Sequence, residues 1–190
     1  MKSSQTPIAV FVSGEGTTLQ ALIDKQGAYR VALVVGNRPC NGLLRAERHG
    51  IPTLQTRDWE EIDKALCREG VQLVVLAGYL AIVPERVCTK WEGRIINTHP
   101  SLLPKYGGKG MYGMRVHEAV VAAGETETGC TVHYVSAGVD TGEMIAQARV
   151  AVRTDDTAET LAQRVQAQER MLLPEVVERL AGRSEARETR

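Results

Sequence analysis

Short apolar runs alternate with segments of helical spacing along most of this chain. Residues 8–13 form an apolar run that closes on Ser13 and Gly14, and they read as a buried strand. Runs at 31–36, 51–55, 73–77 and 94–97 repeat the signal. The run at 73–77, Leu-Val-Val-Leu-Ala, is apolar throughout, as a central parallel strand covered on both faces should be. Between these runs, 18–26, 42–49, 59–69 and 84–91 read as helices. Trp59, Ile62 and Leu66 carry the helical spacing of the third. Asn41 stands as a cap and Gly50 as a stop for the second, and Pro84 suits the first position of the fourth. Strand and helix in alternation predict right-handed crossovers and the α/β class: an open, mostly parallel Rossmann-like sheet with helices on both faces.

The second half changes the pattern. A helix at 114–123 is followed by strands at 130–135 and 144–150, joined by the turn-rich stretch 136–142, which predicts an antiparallel edge. Asp156 and Glu159 resemble a capping box opening a long C-terminal helix, which Pro174 should kink or break. Residues 1–7 and 183–190 are polar or charged and are expected to be disordered. No repeat or linker divides the chain, so residues 1–190 read as a single domain.

Composition narrows the function. Lys and Arg number 23 against 23 Asp and Glu, so zero net charge gives no pull toward nucleic acid or an anionic membrane. No run approaches the ~20 apolar residues of a membrane span, and the N-terminus lacks a signal-peptide pattern, so a cytoplasmic protein is expected. Cys40, Cys67, Cys88 and Cys130 are scattered without a paired spacing, which argues against a metal site and for reduced thiols.

Three segments carry chemistry. The loop Ser13-Gly14-Glu15-Gly16-Thr17-Thr18-Leu19 joins a strand to a helix. Glycines let the backbone approach an anion, and free N–H groups at a helix start point at it, so one phosphate fits; a tight turn without ligand is the competing reading. No Gly-Lys-Ser/Thr follows, and Leu19 replaces the third glycine of a dinucleotide fingerprint. In Asn97-Thr98-His99-Pro100, residues i and i+2 of an extended segment share a side, so Asn97 and His99 can face one reacting centre. An amide donor beside an imidazole suits a developing oxyanion, although a lone histidine at a strand end is commonly structural. Asp140, in Val139-Asp140-Thr141-Gly142, is either a turn residue bonding its own backbone or a carboxylate partner for His99.

These segments, in this order, resemble the phosphoribosylglycinamide formyltransferase family. The matching residues are 13–20, 75–79, the run Ile96-Asn97-Thr98-His99-Pro100-Ser101-Leu102-Leu103-Pro104, then 129–135 and 140–142, with a late match at 166–169. The resemblance spans roughly residues 8–182 and implies formyl transfer from 10-formyltetrahydrofolate to glycinamide ribonucleotide, with no metal, by a monomer or homodimer. It implies that Gly16, Thr17 and Thr18 hold the nucleotide phosphate, with Gln166, Ala167, Gln168 and Glu169 on the ribonucleotide. Folate would lie against Arg57, Leu80, Ala81, Ile82, Val83, Asn97, Ser136, Ala137, Gly138, Val139 and Asp140. The catalytic trio would be Asn97, His99 and Asp140. Ala81 stands where many members carry a basic residue, so no side-chain contact is implied there. The stretch 106–113 is longer and richer in glycine than the family form. It reads as a flexible loop, as a mobile second phosphate contact through Lys109, or as a lid. His117 reads as a phosphate contact or an exposed helical residue, and His133 as a core residue or a neighbour of Asp140.

Overall fold

The computed structural model describes residues 5–188, with side chains to 182. The apolar runs become seven strands of one sheet. They are β1 (Thr6–Val12), β2 (Tyr29–Gly36), β3 (Thr53–Gln55), β4 (Leu73–Leu76), β5 (Ile95–His99), β6 (Glu127–Tyr134) and β7 (Met144–Ala151), in the order β3-β2-β1-β4-β5-β6-β7. Pairing is parallel through β5, and β6 and β7 add antiparallel. The chain runs outward from β1 to β3 and then returns to β4 on the other side of β1. That reversal is a topological switch point, where open α/β sheets form their ligand crevice.

Helices cover both faces, as the alternation predicts. On one face α1 (Thr17–Asp24), α2 (Asn41–Arg48) and α6 (Ala158–Glu188) bury Leu19, Leu22, Leu43, Leu173 and Val177 against Val10, Val34 and Val75. On the other, α3 (Trp59–Arg68) and α4 (Glu85–Lys90) bury Trp59, Ile62, Leu66 and Trp91 against Phe11, Val35 and Val74. Phe11 stacks on Trp59 with centroids 5.8 Å apart. The remaining helix, α5 (Met114–Ala122), packs Val120 with Leu161 and Val165 of α6 against Cys130 and Val150. Each such side chain contributes about 1.5–3 kcal/mol on leaving water.

Several local expectations are corrected. Thr6 and Pro7 already belong to β1, and α6 continues to Glu188; residues 1–4 and 189–190 lie outside the described part. Asn41 is not a cap: Cys40 occupies that position, and the Asn41 amide donates instead to the Glu15 carboxylate at 2.9 and 3.0 Å. The box opening α6 lies one residue later. Thr157 and Thr160 exchange side-chain and backbone bonds at 3.0 and 3.3 Å, while Asp156 accepts from the Arg153 amide and pairs with Arg164. Pro84 caps α4 instead of opening it, and β5 runs two residues further, through His99. Pro174 neither kinks into a break nor ends α6. It is buried beside Leu173, Val176 and Val177, and their burial offsets the ~3 kcal/mol that an interior proline costs.

Leu173 is fully buried on α6. Leu173→Ala is expected to lower unfolding stability by about 2–5 kcal/mol in urea titrations, and a change within about 0.5 kcal/mol would contradict this packing.

Candidate functional site

A cavity of about 960 Å³ opens at the carboxyl ends of β1, β4 and β5, at the switch point. One wall is the glycine loop. Gly16 has φ 72°, and a Cβ there would lie 2.6 Å from the Gly42 Cα, so both conformation and space exclude a side chain. The first bond of α1 runs from the Gln20 amide to the Gly16 carbonyl at 2.9 Å, leaving the amides of Thr17, Thr18 and Leu19 ahead of the helical ladder. Thr17 and Thr18 line the cavity. Arg38, also in the wall, donates through Nε to the Ser13 carbonyl at 2.8 Å. Ser13 Oγ accepts from the Leu80 amide at 2.8 Å and donates to Asn37 Oδ1 at 2.7 Å, joining this loop to the opposite wall.

That second wall is apolar. Leu80, Ala81, Ile82 and Val83 face Ser136, Ala137, Gly138 and Val139 across the cavity mouth, and Leu80 and Ile82 are 50% and 77% exposed. The buried thiol of Cys88 bridges behind them to the carbonyls of Val83 and Ser136. Arg57 does not line the cavity. It is exposed, and its Nε donates to the Asn37 carbonyl at 3.0 Å. Its nearest link to this wall is Tyr79, whose phenol is raised by burial against the opposing charge of Arg57.

Asn97 and His99 stand at the floor, on one side of β5, as the i, i+2 spacing requires. His99 is 4% exposed. Its Nδ1 lies 3.4 Å from Asp140 Oδ2, and its Nε2 donates to the Tyr106 carbonyl at 2.8 Å. Two acceptors on one ring are both satisfied when both nitrogens carry protons. Tyr106 and Asp140 each adopt φ 55°, a left-handed conformation costing roughly 1 kcal/mol or more for a residue with a side chain. Asp140 also accepts from the Gly108 amide at 3.0 Å. Burial alone would raise its carboxyl. His133, the charge of His99 and the Gly108 N–H together hold it below the usual carboxylate range. His133 Nε2 lies 3.7 Å from Asp140 Oδ1.

His133 is a buried residue and a neighbour of Asp140 at once. It sits opposite Asn97 in the β5–β6 register, with Nε2 3.1 Å from the Asn97 amide nitrogen and Nδ1 2.9 Å from the Tyr134 carbonyl. The exposed reading of His117 is overturned: it is 2% exposed, lines the cavity, and leaves Nδ1 without a partner. Burial and then the His99 charge push its pKa down. From α6, Gln166 and Glu169 reach the cavity, whereas Ala167 and Gln168 do not line it, because a helix brings i and i+3 to one side. Glu169 accepts from Thr98 Oγ1 at 3.0 Å, and burial raises its pKa to about 7. Lys109 lies in the wall with the rest of 108–114. Among the described residues no cluster of His, Cys, Asp or Glu could hold a metal ion.

The switch-point crevice of this α/β sheet thus brings a glycine loop and an apolar slot around an amide, an imidazole and a carboxylate. The sequence model of the formyl transferase family matches residues 6–177. The chloroplastic phosphoribosylglycinamide formyltransferase of Vigna unguiculata is 40% identical over 187 residues, which cover 91% of this chain and 60% of that protein. The trifunctional purine biosynthetic protein adenosine-3 of Drosophila pseudoobscura pseudoobscura is 40% identical over 190 residues, covering 92% and 14%. This chain thus spans less than two thirds of the length of those curated relatives. The crystal structure of phosphoribosylglycinamide formyltransferase from Anaplasma phagocytophilum superposes with a TM-score of 0.88 at 38% identity, covering 94% of this chain and 88% of that one. The chain belongs to the phosphoribosylglycinamide formyltransferase family, within the formyl transferases.

The raised pKa of Glu169 makes a stability prediction for the free protein. A buried acid whose pKa rises from 4.5 to about 7 contributes stability that is fully present below pH 4.5 and lost as pH rises through about 7. Glu169→Gln, which keeps an acceptor for Thr98, is expected to remove that slope when Tm is followed across the interval. An unchanged slope would contradict the burial of a charge there.

Proposed function

We propose that the chain transfers the formyl group of 10-formyltetrahydrofolate to the amine of glycinamide ribonucleotide, a step of purine (IMP) synthesis. The observation that carries this reading is His99 clamped between Asp140 and Tyr106 beside Asn97, in one cavity with a glycine loop and an apolar slot. Phosphate would meet the amides of Gly16, Thr17 and Thr18, with Glu169 and Gln166 on the ribonucleotide. The pterin and its linker would lie between 80–83 and 136–140.

In this reading the amine attacks the formyl carbon, and the carbonyl oxygen becomes an oxyanion. The Asn97 amide donates to it, and charged His99 stabilises it from the other side. Asp140 remains ionised across the neutral range and keeps a negative partner on His99. Collapse re-forms the carbonyl and expels N10 of the folate. The substrate supplies its own amine, so no covalent enzyme intermediate is needed. The four cysteines are free, which fits a reducing compartment such as the cytoplasm. No described helix is long and apolar enough to cross a membrane.

Formyl transfer measured against glycinamide ribonucleotide, water and initiator tRNA tests the reading. The ribonucleotide alone is expected to accept; turnover only with water or tRNA would point to a deformylase or another formyltransferase. Asn97→Ala and His99→Ala are each expected to lose about 100- to 1000-fold in kcat with the fold intact, and near wild-type turnover in either would refute the assignment. Asp140→Asn is expected to lower kcat while leaving folate binding in place.

A further inference from the structure

Three histidines line the cavity, and two are fully engaged. His99 has its nitrogens on Asp140 and Tyr106, and His133 has its nitrogens on Tyr134 and Asn97. Neither can exchange a proton with substrate without giving up a protein contact. His117 is the third, from the second turn of α5, and no hydrogen bond satisfies its buried Nδ1. An unsatisfied buried polar atom costs about 1–3 kcal/mol; Nδ1 is closed to solvent, so the ring nitrogen left to meet a group in the cavity is Nε2.

Formyl transfer needs such a group. Attack leaves a proton on the incoming nitrogen that must depart before collapse, and the leaving N10 must gain one. We infer that His117 is the acid–base residue of the reaction, and that His99 is a fixed cation. The inference rests on the proposed formyl transfer. The amine lone pair bonds to the formyl carbon as the carbonyl π pair moves to oxygen. The proton on the new ammonium nitrogen passes to a His117 nitrogen, directly or through one water. The oxyanion then re-forms its double bond, the carbon–N10 pair leaves with N10, and N10 takes the proton from His117. One proton moves from amine to folate, and the enzyme returns to its starting state.

The surroundings favour a neutral, receptive imidazole at the start. Around the cavity, His99 from β5 and Lys109 from the loop 108–113 are the basic groups, Asp140 is the ionised carboxyl, burial holds Glu169 toward its neutral form, and Arg115 and Glu118 flank His117 on α5. Burial and the His99 charge win, and hold His117 below its usual pKa of 6.5. Glu169 is the other proton-labile group in the cavity, but one oxygen already accepts from Thr98.

The test compares pH profiles of kcat for wild type, His117→Asn, His117→Gln and Glu169→Gln. Wild type is expected to lose activity on an acid limb below about pH 6.5, as His117 becomes protonated. Both His117 variants are expected to lose that limb and about 100-fold or more in kcat, with KM for either substrate nearly unchanged. Glu169→Gln should keep the limb. The substrate amine itself titrates at about pH 8 and gives a limb in every variant; a further acid limb below about pH 6.5 retained in the His117 variants, or a loss confined to KM for the ribonucleotide, would overturn the inference, the latter making His117 a phosphate contact. Should the variants not fold, a nitrogen-15 NMR titration of wild type decides: His117 is expected neutral at pH 7, and a charged ring would overturn it. Wild type inactive toward glycinamide ribonucleotide would sink the proposed function instead.

Discussion

A buried imidazole held between a carboxylate and a backbone carbonyl is the contact on which this site depends. A charged ring with 4% exposure is costly unless both N–H groups find partners. Asp140 and Tyr106 supply them, each from a left-handed backbone position that its side chain disfavours. The fold holds that strain with a polar network beneath the loop. Ser101 Oγ donates to the Lys105 carbonyl at 2.6 Å, Thr131 Oγ1 donates to the Ser101 carbonyl at 2.7 Å, and the Leu103 amide donates to Thr131 Oγ1 at 3.1 Å. Thr131 faces His99 in the β5–β6 register. The antiparallel edge therefore fixes both the floor of the site and the loop that closes over its imidazole.

The sheet also gives the cavity two unlike walls. Ile95 and Ile96 on β5 belong to opposite cores, so successive residues of this strand serve opposite sides. Thr98 meets Glu169 from α6, on the side that carries the glycine loop and α1. Asn97 and His99 face the side of Tyr79 and Val83, where the apolar slot lies. The two walls flank the sheet and join through Ser13; in the proposed reading each takes one substrate.

Local signals were legible in the sequence, and long-range pairings were not. The glycine loop, the Asn-x-His spacing and the central apolar strand carry their meaning within a few residues. Nothing within a few residues tells that His133 lies across from Asn97, or that the Tyr106 carbonyl turns back onto His99, because register and loop closure decide both. From its helix alone His117 read as a phosphate contact or an exposed residue; in the folded chain it is buried at the cavity wall. Pro174 and the cap at Thr157 show the same limit. Propensity named a break and a neighbouring cap, and packing along α6 decided otherwise. Arg57 was placed by analogy of position, and its bond to Asn37 holds it outside the cavity wall.

The central claim is that Asn97 and His99 recognise the tetrahedral, negatively charged centre more strongly than the planar formyl group. Its most direct test is the affinity of two unreactive folate analogues, one planar and one tetrahedral at the formyl position, for the protein and for its Asp140→Asn variant. The account predicts that the tetrahedral analogue binds about 100-fold or more tighter to the native protein, and that this preference collapses in the variant while planar binding persists. Equal affinities for the two analogues in the native protein would contradict it.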